Sequence, residues 1–317
     1  MANIVQFFRS LFSGATGPDL SFGLFAASGA ENLLRQQQWE KFEALATDLS
    51  SSELTRLIDG LCLMPQHATQ LAQYQASGSS DLRYLMAGAH NTFLAWEARS
   101  LAAAKHVTEG QANGFAHYLS LAHQHLSRTF ATATMQAEAY ARLIRVLMGQ
   151  SEPAEAQEAF FACRGLVPDH LLGHMNYFKL AAPRWFGDAN ALAEFVDGAP
   201  APALRHLLQA NFLVERYSDF DSDIEESDNR LPAKTQLWQA YRSRIEQLLP
   251  LLQPLAGSSL LSIYFNNYAG CLHYVLGNVG ERNHFLRALG SHITYYPWAY
   301  FGLETPAAVQ KLNPKPQ

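Results

Sequence analysis

Helical periodicity runs along the whole chain and decides its fold class. Ala, Leu and Gln are frequent, and apolar residues recur three and four positions apart, the spacing that places them on one face of a helix. Runs that alternate Val, Ile or Thr with polar residues, as half-buried strands do, are nearly absent. We therefore predict an all-α protein with short connections.

The same spacing predicts where the helices lie. The boundary at residues 151–153 is the clearest, because Ser151 can cap a helix and Pro153 suits a first helical turn. The expected ranges are 20–36, 39–49, 52–63, 80–104, 109–127, 132–149, 153–165, 169–181, 188–197, 200–217, 231–249, 257–276 and 280–291.

Composition excludes several classes of protein. Hydrophobic residues make up 48% of the 317 positions and charged residues 16%, so the chain is predicted to fold rather than stay disordered. A net charge of −5 argues against a nucleic-acid binder, which neutralises phosphates with Lys and Arg. No apolar run reaches about 18 residues, so no transmembrane helix is expected.

The cysteines indicate a reducing environment. Cys62, Cys163 and Cys271 have neither the number nor the spacing of a disulfide framework or a zinc site. We predict that they are thiols and that the protein is cytoplasmic.

The first residues predict a separate amphipathic helix. Apolar residues recur on one helical face between Ile4 and Phe12, but Arg9 interrupts the run, which argues against a signal peptide. A helix that caps the fold or an arm that docks elsewhere is favoured over a helix that lies on a membrane, because membrane helices usually carry several cations. The expected division is an N-terminal helix and linker (1–18), a single helical-repeat domain (19–305) and a C-terminal tail (306–317).

A repeat pattern favours stacked helix pairs over a simple bundle. The tetratricopeptide repeat spans about 34 residues and matches large with small residues on two antiparallel helices closed by a proline. A fair second match ends at Pro202 and a degenerate third at Pro297. The best match ends at Pro168 and has residues of the right size at Tyr140, Leu143, Ile144, Leu147, Ala156, Phe160 and Cys163. We therefore predict an α-α superhelix of tetratricopeptide-like antiparallel pairs.

Three short motifs resemble landmarks of a bacterial family of uncharacterised proteins with tetratricopeptide-like helices. They are Leu-Ala-Trp-Glu-Ala-Arg at 94–99, Pro-Arg-Trp-Phe-Gly-Asp at 183–188, and Leu33-Leu34 followed by Trp-Glu-Lys-Phe at 39–42 and Leu45. Their order fits over about residues 25–200. Phe186 replaces one glycine of the family's Pro-Arg-Trp-Gly-Gly turn, where its members vary. The resemblance implies an α-α superhelix and no particular activity.

These landmarks also have a direct physical interpretation. Trp96 and Arg99 share a helical face, where the guanidinium can stack on the indole. Pro183 stops a helix, Gly187 permits a tight turn, and the acid that follows can cap the next helix. We predict that Trp185 fills the space between adjacent helix pairs; the alternative is an exposed anchor for a ligand.

Local signatures of catalysis and metal binding are missing from the sequence. His170 and His174 lie one helical turn apart, as in some zinc sites, but Leu171 stands where a zinc protease has Glu. Ordinary helical histidines are favoured. A Gly-rich phosphate loop and a nucleophile elbow are also missing. We therefore expect no metal and no cofactor.

One segment carries most of the net charge. Ile224 and Arg230 stand where a calcium loop needs Gly and Glu, so calcium is disfavoured. A solvated loop is expected; the alternative is an acidic patch that steers a basic partner. The acids of this segment are Asp219, Asp221, Asp223, Glu225, Glu226 and Asp228.

The repeat register predicts a partner-binding surface, because the first helix of each pair lines the concave side of such a superhelix. Arg145 and Lys179 occupy equivalent positions in successive repeats, and Glu138 and Met175 belong to other inward-facing pairs. We hypothesise that Arg145 and Lys179 contact an acidic peptide or chain terminus. The alternative is two solvated cations.

These observations favour a non-catalytic scaffold that binds another bacterial protein or peptide, as an adaptor, a chaperone-like factor or a toxin-neutralising immunity protein. The competing hypothesis is an enzyme whose active site is assembled from residues distant in sequence. A deep cleft lined by converging His, Asp and Arg side chains would favour the enzyme. An open groove with scattered charge would favour binding.

Overall fold

The structure is a computed structural model that describes residues 19–100, 106–225 and 230–312. Within these ranges the regular elements are helices and no strand occurs, which confirms the all-α prediction. The helices cluster into two compact units, residues 1–194 and 195–317. One continuous repeat domain over 19–305 stays a prediction, and residues 1–18 lie outside the described ranges.

The first unit is built from short helices followed by longer helical hairpins. Its helices are α1 (Leu24–Ser28), α2 (Ala30–Arg35), α3 (Trp39–Asp48), α4 (Ser51–Leu63), α5 (Ala68–Ser77), α6 (Leu82–Arg99), α7 (Glu109–Leu126), α8 (Ala133–Gln150), α9 (Pro153–Leu166), α10 (Leu171–Ala181) and α11 (Ala189–Asp197), the last of which crosses the unit boundary.

Local capping explains several of these helix starts. The Ser50 hydroxyl accepts from the Glu53 N–H while the Glu53 carboxylate accepts from the Ser50 N–H, a capping box that begins α4. Pro153 begins α9 as predicted. The predicted cap at Ser151 is wrong, because this residue ends α8 in the left-handed conformation, with φ of 64°.

Helix α7 packs antiparallel to α6, and α9 packs antiparallel to α8. Helices α6, α8 and α10 consequently run in the same direction. Close packing within the hairpins depends on small residues: a Cβ on Gly88 would lie 2.4 Å from Leu126 Cγ of the facing helix. Helix α4 packs against both α6 and α8 and is buried along most of its length. It therefore covers one side of the two long helices.

The second unit surrounds the buried helix α14. Its helices are α12 (Pro202–Glu225), α13 (Arg230–Leu248), α14 (Leu260–Val275), α15 (Val279–Leu289) and α16 (Pro306–Gln310). Helix α14 packs against α12 and α15, and α13 packs against α12. Part of the predicted tail 306–317 is thus helical, and Val309 is fully buried beside Trp298.

Three parts of the chain differ from the sequence prediction. The single helix expected over 20–36 is two helices, α1 and α2, because Gly29 between them has a left-handed φ of 71°. Residues 68–77 form helix α5, although no helix was expected there. The backbone of residues 219–225 belongs to α12, so the loop expected over 219–228 is wrong as far as Glu225.

Asn267 fixes the loop that follows α15. Its Oδ1 accepts from Thr294 N–H (3.1 Å) and from Trp298 Nε1–H (2.8 Å). Its Nδ2 donates to the carbonyls of Ile263 (2.8 Å) and His292 (3.0 Å). All hydrogen-bonding positions of this fully buried amide are therefore used.

Replacing Asn267 by Ala should destabilise the second unit by about 2–4 kcal/mol. The change leaves the Thr294 N–H and the buried indole N–H of Trp298 without an acceptor, and each costs about 1–3 kcal/mol. Urea unfolding followed by circular dichroism measures the loss. Gln253→Ala, at an exposed position of the same unit, is the control. Equal stability of the two variants would contradict the role of Asn267.

Candidate functional site

The residues expected on one partner-binding surface lie in two environments. Glu138 is 0% exposed, because α4 covers this face of α8. Arg145, Met175 and Lys179 are half-buried on α8 and α10. The structure therefore places Glu138 inside the unit, where it shares no surface with the other three.

Glu138 belongs to a buried charge network, formed with Thr55, Asp59, Arg142 and His170. Its Oε2 accepts from the Thr55 hydroxyl (2.6 Å), and its Oε1 accepts from Arg142 Nε (2.8 Å). The Arg142 guanidinium also donates from Nη2 to Asp59 Oδ1 (2.9 Å). His170 Nε2 lies 3.1 Å from Glu138 Oε2. The network joins α4, α8 and the start of α10.

The position of His170 follows from its place at the N-cap of α10. Its Nδ1 accepts from the Gly173 N–H (3.3 Å), so the proton of a neutral ring is on Nε2, the nitrogen near Glu138. His174 turns elsewhere, with Nδ1 3.0 Å from the His170 carbonyl oxygen and its ring edge-to-face with Phe160. The two rings do not form the zinc pair considered above.

The partners of Glu138 keep it ionised. Burial alone would raise the pKa of this carboxyl, but the charge of Arg142 and the contacts with His170 and Thr55 lower the pKa to about 2. Asp59 has the opposite shift, since burial raises its pKa. The Asp59 side chain is partly buried, with 28% exposed, whereas that of Glu138 is 0% exposed. Within the described residues, no group of three or more His, Cys, Asp or Glu side chains could hold a metal ion.

The three cysteines are free thiols, as predicted, and all three are buried. Burial raises the pKa of both Cys62 and Cys163 to about 12. Since the thiolate is the nucleophilic form, these side chains pack as small apolar groups.

A second constellation lies near the C-terminal ends of α6 and α8. We call Trp96, Arg99, Phe115, Arg145 and Trp185 the Trp–Arg cluster. The Trp96 ring meets Trp185 (centroids 5.8 Å apart, planes at 78°) and Phe115 (5.1 Å, 71°) edge-to-face. Arg145 Cζ lies 4.0 Å from the Trp96 ring centroid. Arg99 Cζ lies within about 6 Å of all three rings.

The turn between α10 and α11 positions Trp185. Helix α10 ends before Pro183, and the Trp185 N–H bonds to the Ala182 carbonyl (2.9 Å). A Cβ on Gly187 would lie 2.0 Å from the Ala181 carbonyl oxygen, so only glycine fits. Asp188 caps α11 by accepting from two backbone N–H groups, as predicted.

The acidic segment is described only in part. Four of its acidic residues belong to the last turns of α12, and two lie outside the described residues. The four are Asp219, Asp221, Asp223 and Glu225, and the two are Glu226 and Asp228.

Sequence reasoning missed the long-range contacts that assemble the buried charge network and the Trp–Arg cluster. Asp59 and Arg142 are 83 residues apart, and Trp96 and Trp185 belong to two motifs that the sequence treats separately. A signal for the first contact exists: Thr55 and Asp59 are both polar and lie four residues apart, so they share one face of α4. No comparable signal pairs the two tryptophans.

Comparison with known proteins finds no matching family model, no matching curated protein and no matching solved structure. No helix in the described ranges is long and apolar enough to cross a membrane. The bacterial family resemblance stays a prediction that rests on the motifs quoted above.

Replacing Glu138 by Gln should destabilise the protein by about 3 kcal/mol at pH 7, because it removes one partner of a buried ion pair. The pKa of Glu138 is lowered from about 4.5 to about 2 in the folded state. Its contribution is therefore complete above about pH 4.5 and is lost as the pH falls towards 2. The stability difference from the wild type should shrink over that window, as urea titrations between pH 7 and pH 3 would measure.

Glu158→Gln is the control for this prediction, since Glu158 is exposed on α9. It should leave both the stability and its pH dependence nearly unchanged. A difference for Glu138→Gln that stays constant down to pH 3 would contradict the assigned role.

Replacing Gly187 by Ala should cost about 1–3 kcal/mol, because the added Cβ forces the turn that carries Trp185 to shift. Gly165→Ala is the matched control: apart from its chain neighbours and its own helix backbone, nothing lies within 4 Å of a Cβ placed there in α9. That variant should be neutral or up to about 1 kcal/mol more stable. Free energies of unfolding test the pair, and a harmless Gly187→Ala would refute the steric argument.

Proposed function

We propose that the protein is a non-catalytic helical scaffold that binds another protein through the Trp–Arg cluster. The observation that carries the proposal is the composition and exposure of this cluster. Tryptophan and arginine dominate the energetically important positions of protein interfaces. Here the two tryptophans and the two arginines are half-buried, so part of each residue is accessible to solvent.

The packing around the cluster supports this role. A side chain that is ordered before binding loses little conformational entropy when a partner arrives. Trp96 is held by Phe115, Trp185 and Arg145, and Trp185 is held by a turn that only glycine allows. The cluster is therefore preorganised.

The proposal includes a tetratricopeptide-like superhelix over α6–α10. What supports it is the alternation of parallel and antiparallel helices and the burial of the expected small and aromatic positions Ala156, Phe160 and Cys163. In such a superhelix α6, α8 and α10 are the first helices of their pairs. Because α4 covers the part of α8 that carries Glu138, the proposed partner site is the Trp–Arg cluster instead.

Finer assignments follow from the same proposal. Within the proposal, the protein acts as an adaptor, a chaperone-like factor or a toxin-neutralising immunity protein. Acids at 219–228 would suit a basic partner. The free, buried cysteines support the cytoplasmic location.

The alternative is an enzyme built from residues distant in sequence. It is favoured by the convergence of Asp59, Arg142 and His170 on Glu138. Burial weighs against the enzyme, because the side chains of Glu138 and His170 are 0% and 1% exposed and contact each other rather than an open cleft. We therefore assign the buried charge network a structural role.

Site-specific photo-crosslinking in the cell that naturally produces the protein tests the proposal. A benzophenone amino acid replaces Phe186, which is 43% exposed and adjoins Trp185, or Phe161, which is 47% exposed on α9. We expect one protein to crosslink at position 186 and not at 161. Adding Trp185→Ala should abolish the crosslink.

The two aromatic positions control for each other, because they are similarly exposed. Circular dichroism of the Trp185→Ala variant shows whether a lost crosslink reflects lost binding or lost folding, and Trp185→Phe, which keeps an aromatic ring, should restore part of the yield. Equal crosslinking at both positions, or none at 186, would contradict the proposal.

A further inference from the structure

A separate group of cations lies at the other end of α6, around the ring of Tyr84. We call Arg83, Tyr84, His125 and Arg128 the Tyr84 cluster. Arg128 Cζ lies 3.9 Å and Arg83 Cζ lies 4.6 Å from the Tyr84 ring centroid. The His125 ring stacks on the same ring, with centroids 6.0 Å apart and planes at 26°. Because Tyr84 precedes Trp96 by about three turns of α6, about 18 Å of helix separates this cluster from the Trp–Arg cluster.

Arg128 is the member of the cluster that can contact a ligand. It is exposed, and its guanidinium forms no hydrogen bond or ion pair within the part of the chain that the structure describes. Stacking on Tyr84 occupies the face of the group and leaves its N–H edge open to an anion. Arg83 has another role, because it donates to the Gly78 carbonyl (2.8 Å) and to the Tyr84 hydroxyl (2.7 Å). It holds Tyr84 in place and adds a second positive charge.

Tyr84 and His125 supply further hydrogen-bonding groups. The Tyr84 hydroxyl accepts the bond from Arg83 and donates none among the described residues, so its hydrogen is available. The ring nitrogens of the half-buried His125 form no hydrogen bond there either. Burial and the charge of Arg128 lower the pKa of His125, and no carboxylate acts in the opposite direction. The positive charge of Arg128 therefore reaches His125 without being neutralised.

Helix ends and neighbouring acids do not compensate the two arginines. Arg83 lies in the first turn of α6, where a cation is unfavourable, and Arg128 follows the end of α7, where a cation is favourable. These two effects oppose each other and leave the guanidinium charges in place. Asp81, which precedes α6, forms no ion pair with either arginine within the described ranges.

The charge of the cluster indicates the class of ligand. A phosphate monoester carries about −1.5 to −2 charge at neutral pH and has three strong acceptor oxygens, so it matches two guanidiniums better than a single carboxylate does. A nucleic acid is a poorer match, because it presents phosphates along its entire length. Residues 1–194 contain 13 Lys and Arg against 17 Asp and Glu, so the rest of this unit would repel it.

We propose that the Tyr84 cluster binds the phosphate monoester group of a peptide or a small molecule. Arg128 donates to the phosphate oxygens from its N–H edge, the Tyr84 hydroxyl and the His125 ring donate to further oxygens, and Arg83 contributes charge. This site is separate from the Trp–Arg cluster and does not depend on the function proposed for that cluster.

Titration with matched peptides tests the proposal. Fluorescein-labelled peptides with a central phosphoserine and random flanking residues are titrated with the full chain, and binding is followed by fluorescence anisotropy. Two matched pools carry Ser or Glu at the central position. We expect the phosphoserine pool to bind at least about tenfold more tightly than either, because Ser has no charge and Glu has a smaller charge and fewer acceptor oxygens.

Matched variants locate the phosphate. Arg128→Gln should weaken binding of the phosphoserine pool about tenfold, and Tyr84→Phe, which keeps the ring under Arg128, should weaken it about threefold. Arg164→Gln is the control, because Arg164 is also an exposed arginine over aromatic rings, but on α9. It removes the same charge from the protein and should leave the affinity unchanged. Circular dichroism of each variant verifies that it is folded.

Competition with free O-phosphoserine distinguishes the two sources of the phosphate group. A phosphoserine pool that binds at least about tenfold more tightly than the free amino acid identifies a phosphorylated peptide, since the flanking residues then contribute. Equal affinities identify a small phosphorylated molecule.

Several results would overturn the proposal: no binding of the phosphoserine pool, equal binding of the Ser or Glu pool, unchanged affinity after Arg128→Gln or Tyr84→Phe, or tighter binding of an oligothymidylate of the same length. The proposal and the proposed function fail separately. Arg128→Gln should leave the crosslink at position 186 intact, and loss of that crosslink in the wild type does not affect the phosphate titration.

Discussion

The packing of α4, α8 and α10 in the first unit depends on one buried carboxylate and on the groups that replace its water. Glu138 is fully buried, and an ionised group in that position costs several kcal/mol unless other groups replace the lost water. Its partners come from three helices: Thr55 from α4, Arg142 from α8 itself, and His170 from the cap of α10. Each helix is therefore fixed at one point along its axis. The apolar contacts supply most of the stabilisation, and the charges select the register.

This arrangement also decides which surface is left for a partner. Glu138 and Arg145 lie on nearly the same face of α8, since seven residues make almost two full turns. Helix α4 covers Glu138, whereas Arg145 reaches Trp96 of α6. The repeat register predicts that Glu138 and Arg145 both face inward. In the structure Glu138 is a buried ion, whereas Arg145 is half-buried.

Helical structure was predictable because it depends on the spacing of apolar residues along a short stretch of sequence. The errors in the predicted helices also have local causes. Helix α5 was missed because it is short and rich in Gln and Ala, with only Leu71 and Tyr74 buried. The end of α12 was misjudged because a run of acids suggested a loop, although Tyr217, Phe220 and Ile224 continue the helical spacing through it.

The motif at 183–188 was interpreted correctly as a turn, since Pro, Gly and Asp each act on the backbone next to them. The candidate site was harder to predict, because Trp96 meets Trp185 through tertiary packing that no local pattern encodes.

The contact between Trp96 and Trp185 has a spectroscopic consequence. Their ring centroids are 5.8 Å apart and their planes are nearly perpendicular, close enough for the excited states of the two indoles to couple. The guanidinium of Arg99 lies beside both rings, and indole emission is sensitive to neighbouring charge. The other three tryptophans of the chain contribute a background. We therefore expect a partner that binds against these two indoles to change the tryptophan emission, so that occupancy of the cluster can be followed without an added label.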